Sequence, residues 1–173
     1  MFHMARILSA TCLLLAVTAL AQSVTYDYDK SADFSRFKTY AWIRGAKVND
    51  ELNDKRIVDA VDAQLAAKGL TRVEADAKPD LVVFYRADFQ RELQINGSGW
   101  GGYRFGGNRF GTATAREAQI GTLTVEMLDA TTRAVVWKGT ATKDVDTGAK
   151  PDKRDKSINK AAEKMFKNFP PKR

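Results

Sequence analysis

Fifteen residues past the middle of the chain gather the side chains best suited to holding a ligand. The run from Gly97 to Gly111 contains seven of the twelve glycines. Trp100, Tyr103, Phe105 and Phe110 are interleaved with them, beside Arg104 and Arg109. Flat aromatic faces next to guanidinium groups suit sugar rings, anionic lipid or a partner protein. Glycine lets a backbone approach such a ligand closely. Trp100, Tyr103, Arg104, Phe105, Arg109 and Phe110 are therefore the candidate binding residues. The plainer alternative is a hairpin tip whose rings fold back on the sheet. The run is not a phosphate loop, because no Lys-Ser/Thr pair closes it and no helix of that kind follows.

Two acidic groupings invite other chemistry. Asp27-Tyr28-Asp29-Lys30-Ser31-Ala32-Asp33 alternates oxygen ligands as a calcium loop does. The pattern fails at Ala32, where the turn wants glycine, and at Lys38, where a bidentate Glu belongs. No metal or other cofactor is expected. Asp80, Asp88, Glu92 and Glu126 are the acids nearest the central strands, and nothing in their spacing marks a general acid and base. His3 and Cys12 are the only histidine and cysteine, and both precede residue 22. Residues 22–173 therefore exclude a Ser-His-Asp triad, a cysteine nucleophile and the usual His/Cys zinc site. Carboxylate-pair hydrolysis and Ser-Lys chemistry stay open.

The elements that must carry these groups follow from periodicity. Val24 to Tyr28 and Thr39 to Ile43 read as strands. A helix is expected over residues 50–68, with Ile57, Val58, Val61 and Leu65 as its apolar stripe. Asn49, Asp50 or Asn53 caps its start, and Gly69-Leu70 ends it. Leu81 to Tyr85 forms a nearly continuous apolar strand, extended weakly through Ile95. Residues 120–128 and 134–139 make a hairpin around Asp129 to Thr132. A second helix opens at Pro151, buries Ile158, Ala161, Ala162, Met165, Phe166 and Phe169, and stops at Pro170-Pro171. Its opposite side carries Lys153, Arg154, Lys156, Lys160, Lys164 and Lys167, which offer anions a positive face whether or not the helix docks on the sheet. The sum is an α+β fold: an antiparallel or mixed sheet of about five strands, packed by two helices, with a long Gly/aromatic loop.

The first 21 residues have the layout of a secretory signal. Arg6 precedes an apolar stretch from Ile7 to Leu20, and Ala19-Leu20-Ala21 is a small-x-small cleavage site. The stretch is shorter than the ~20 residues that cross a bilayer, so no transmembrane anchor is expected after cleavage. Cys12 lies inside the apolar stretch, not at its end, and leaves with the signal. Residues 22–173 then form one domain, long enough to bury a core without disulfides. The net charge is +7 for the chain. For an exported protein that balance favours anionic lipid or acidic polymers over nucleic acid.

Several segments together resemble a known family. They are Asp33-Phe34-Ser35-Arg36-Phe37-Lys38-Thr39-Tyr40-Ala41-Trp42, Arg56-Ile57-Val58 through Ala67-Lys68-Gly69-Leu70, Lys78-Pro79-Asp80-Leu81-Val82-Val83, Gly121-Thr122-Leu123-Thr124-Val125, Val136-Trp137-Lys138-Gly139-Thr140-Ala141 and Phe169-Pro170-Pro171. In this order they look like the bacterial envelope family catalogued as domain of unknown function 4136. The resemblance implies an exported protein, often a lipoprotein, with a small α/β domain and no established catalytic residues. The chain departs from it in lacking a cysteine where a lipoprotein signal ends. The expected function is a periplasmic or otherwise extracytoplasmic module that binds an envelope protein, anionic lipid or glycan without catalysis, or a structural module that forms oligomers. The alternative is a carboxylate-based hydrolase of an envelope polymer.

Overall fold

The structure, a computed structural model, describes residues 22–43, 50–96 and 114–172. The expected signal at 1–21 and the segment 97–111 lie outside the described residues.

Six strands form one mixed sheet: β1 (Ser23–Tyr28), β2 (Thr39–Trp42), β3 (Thr71–Arg72), β4 (Leu81–Asn96), β5 (Thr114–Asp129) and β6 (Val135–Asp144). Their order is β1-β6-β5-β4-β2-β3. The β1, β6, β5 and β4 neighbours run antiparallel, whereas β2 lies parallel to both β4 and β3. The sheet thus has one strand more than the expected five. The addition is β3, two exposed residues held by the Thr71 amide on the Lys38 carbonyl and the Val73 amide on the Tyr40 carbonyl. A strand that short carries no alternation to read.

The two expected helices are α1 (Glu51–Ala67) and α2 (Pro151–Phe166). Asp50 caps α1 by accepting from the Leu52 and Asn53 amides. Gly69, at φ 85°, ends it. The Gly69 amide donates to the Ala66 carbonyl and the Leu70 amide to the Leu65 carbonyl, the paired bonds of a Schellman stop. Arg56 pairs with Asp155 near the helix starts, and Lys68 Nζ reaches the Lys167 carbonyl at 3.5 Å near their ends. The helices therefore run side by side in the same direction.

Both pack on one face of the sheet. Alternation along each strand sends Tyr40, Leu81, Val83, Tyr85, Val125, Met127 and Trp137 to that face, where they meet Ile57, Val61, Leu65, Met165 and Phe166. Val58, expected in the α1 stripe, is only half-buried, and Ala60 fills the stripe instead. At the α2 end the core is aromatic: Trp137 stacks on Phe166 at 4.7 Å, and Phe169 meets Trp137 edge-on at 5.6 Å and Phe34 edge-on at 5.9 Å. Gly139 makes this possible, because a Cβ there would collide with the Trp137 ring and the Met165 side chain.

Candidate binding surfaces

The β4–β5 hairpin is much longer than its neighbours. β6 leaves β5 at the Ile120–Asp144 pair, and β2 leaves β4 at Trp42–Val83. β4 and β5 continue paired from Arg91–Gln119 to Asn96–Thr114. Those six pairs make a two-stranded arm of about 20 Å beyond the sheet. At its base the Phe89 ring covers Gly121, the residue opposite it, and Val145 closes the same spot. The arm leads directly to residues 97–111. Trp100, Tyr103, Arg104, Phe105, Arg109 and Phe110 themselves lie outside the described residues.

The face of the sheet opposite the helices is polar across β1, β6 and much of β5, and apolar where Ala41, Val82, Phe84 and Leu128 meet. Strand register sets Thr25, Thr140, Thr124 and Arg86 in one row, and Ser23, Thr142, Thr122 and Asp88 in the next. Thr124 and Thr140 hydroxyls lie 3.4 Å apart, and those of Thr122 and Thr142 lie 3.3 Å apart. Glu126 bridges Arg86 at 3.3 Å and Lys138 at 3.1 Å. Among the described residues no helix covers this face.

The acids singled out from the sequence have structural employment or none at all. Asp80 accepts from the Lys38 and Thr39 amides at 2.8 and 2.9 Å and from the Thr39 hydroxyl. Those amide bonds, aided by Arg36, hold its carboxyl below the usual carboxylate range. Asp80 thereby clamps the start of β2 to the start of β4. Asp88 and Glu92 are exposed. Asp29 of the calcium-like run is taken by the Ser31 hydroxyl and amide, and Asp33 caps the short 3-10 turn Phe34–Arg36. No cluster of three metal-ligating side chains occurs among the described residues. Among the described residues one Ser-Lys contact exists: Lys143 Nζ donates to Ser157 Oγ at 2.9 Å, tying β6 to α2.

Sequence reasoning passed over Asp62. Its carboxylate accepts from Tyr40 Oη and Trp42 Nε1 at 2.7 Å each and from Arg72 at 2.8 Å. The group borders a shallow depression of about 470 Å³ lined also by Ala66, Leu70 and Thr71. The signal for it was present in the strand: Tyr40 and Trp42 share one face, and buried phenol and indole groups need acceptors. Burial raises the Tyr40 hydroxyl above its usual range, with Asp62 adding to the shift. Tyr85, bonded to Asp54, is raised for the same two reasons in the same order.

These two tyrosines set an alkaline limit. Their folded pKa values are raised, so their contribution is full below the unfolded tyrosine value of 10.0. It is lost as pH climbs from there toward the folded values. Urea midpoints are expected to hold to about pH 9 and fall steeply above about 10. Tyr40→Phe is expected to be less stable at neutral pH and to show a shallower alkaline decline. A parallel decline in both proteins would overturn this.

The chain matches the family described as Domain of unknown function (DUF4136) over residues 24–171. It belongs to that family. No curated protein matches it significantly. Among solved structures, it is similar to a PDZ domain protein from Parabacteroides distasonis, with a TM-score of 0.59 and 17% identity. That match covers 88% of this chain but 37% of the other. It is also similar to the PelC dodecamer from Paraburkholderia phytofirmans in two crystal forms, with TM-scores of 0.53 and 0.52 and 13% identity. Those matches cover 84% of this chain and 95% and 96% of PelC. At such identities the likeness is one of fold. Among the described residues no helix is long and apolar enough to cross a membrane.

Proposed function

We propose that this DUF4136 protein is an exported cell-envelope module that binds a partner protein without catalysing a reaction. It does so through Trp100, Tyr103, Arg104, Phe105, Arg109 and Phe110, in the segment that links β4 to β5. The observation that carries this reading is the arm itself. An isolated two-stranded ribbon is marginal in water, so six pairs extended past every neighbouring strand point to a use beyond folding. The acids near the sheet add support, since Asp62, Asp80 and Glu126 are each held by several donors. The apolar segment from Ile7 to Leu20 supports a periplasmic or otherwise extracytoplasmic location.

The test is a crosslinking pull-down from envelope extracts with residues 22–173 and with the same protein lacking residues 98–110. A partner captured by the intact protein and lost on deletion is expected. An identical set from both would overturn the role of the segment. The PelC dodecamer favours a second reading, in which the partner is another copy of the chain. Concentration-dependent size that disappears with residues 98–110 would establish that version.

A further inference from the structure

The positive charge of the protein is not spread over it. Residues 22–149 contain 18 basic and 18 acidic side chains, whereas residues 150–173 contain nine basic and three acidic ones. The whole excess beyond the first 21 residues therefore sits on Lys150, α2 and the short tail after it.

Within α2 the cations divide into two groups. Lys153 pairs with Asp146 at 2.9 Å, and Arg154 donates to the carbonyls of Ala149 and Thr147. Lys156, Lys160, Lys164 and Lys167 are exposed, and none joins an ion pair among the described residues. Their spacing of i, i+4, i+8 and i+11 places them along one side of the helix. The opposite side buries Ala161, Ala162, Met165 and Phe166, so the lysines point away from the sheet. Lys68, at the end of α1, reaches the Lys167 carbonyl and extends the row. Glu163 is the single carboxylate in α2 from Lys156 onward.

We infer that this lysine row seats the domain on an anionic lipid bilayer. The ammonium groups follow one another at about 6 Å along the helix axis over a total of about 17 Å. Such a row meets several separate head groups, whereas a single phosphate needs donors that converge on it. Lysine is a mobile point charge on a long stem and follows a fluid surface of head groups well. This surface is separate from the β4–β5 arm, so either can fail without the other.

Residues 22–173, the whole described fold, are to be mixed with phosphatidylglycerol-containing vesicles and with vesicles of phosphatidylcholine alone. Sedimentation on the anionic vesicles alone, weakening as salt rises toward about 0.15 M, is expected. Lys156→Gln, Lys160→Gln and Lys164→Gln combined should reduce the anionic binding on the order of a hundredfold, taking each lysine at its usual strength near a charged surface. A control combining Lys30→Gln, Lys55→Gln and Lys78→Gln removes the same charge from exposed sites elsewhere and should bind within about threefold of the parent. Circular dichroism confirms that both triple variants are folded. Equal losses in the two variants, indifference to phosphatidylglycerol, or displacement by millimolar inorganic phosphate at constant ionic strength would each overturn the inference.

Discussion

Replacing Trp137 by alanine is expected to destabilise the domain by about 4 kcal/mol, a large share of the stability of a single domain. Trp137 is 1% exposed and is the largest fully buried side chain among the described residues. It lies opposite Tyr28 on one side and Met127 on the other, so it locks β6 between β1 and β5. Its ring also stacks on Phe166 of α2 and meets Phe169. Truncation opens a cavity where strand, helix and C-terminal turn converge, and the surrounding rings are too rigid to fill it. Trp137→Phe retains an aromatic face and should lose roughly half as much. Urea midpoints measure both, and near-ultraviolet circular dichroism follows the aromatic packing. A Trp137→Ala midpoint indistinguishable from that of an exposed Thr131→Ala control would refute this account of the core.

The segments that carry the family resemblance explain what it can and cannot say. Phe34, Phe37, Tyr40, Trp137 and Phe169 are all members of the core or packed against it. Asp80 is the clamp on β2, and Gly69 is the helix stop. These positions answer to packing and backbone geometry, so this part of the pattern specifies the fold. The candidate binding segment stands outside that pattern, between β4 and β5 in the sequence.

Periodicity made both helices legible, as it did the paired strands β4, β5 and β6. Strand order was not legible. The pairing of β1 with β6 brings together residues over a hundred positions apart, and no local signal encodes it. The parallel placement of β2 between β4 and β3 follows from the α1 crossover that separates β2 from β3, a connection that short parallel strands require. Asp62 lies off the apolar stripe of α1, and helix periodicity reports hydrophobicity and not hydrogen-bond demand. Only the facing strand, with two polar-tipped aromatics on one side, creates that demand.

Asp129 closes the sheet where β5 turns into β6, and its removal is the second large effect expected. Its side chain is 5% exposed. One oxygen accepts from the Thr131 and Thr132 amides at 2.8 and 3.1 Å, and the other pairs with Arg36. Arg133, at φ 60°, completes the turn by donating its amide to the Asp129 carbonyl. Asp129→Ala strips two amides of a charged acceptor and is expected to cost about 3 kcal/mol. Arg36 is half exposed, and without it Asp129 still keeps the Thr131 and Thr132 amides, so Arg36→Ala should cost no more than about 1 kcal/mol. Asp129→Asn retains an oxygen for the amides and should fall between the two. This ranking separates two explanations of a buried carboxylate. If the turn amides dominate, alanine at 129 is far worse than alanine at 36, and asparagine rescues most of the loss. If the ion pair dominates, the two alanine variants are equal and asparagine rescues nothing. The Thr131 and Thr132 amides have no other acceptor among the described residues, whereas Arg36 is half exposed, so the first ranking is the expected one.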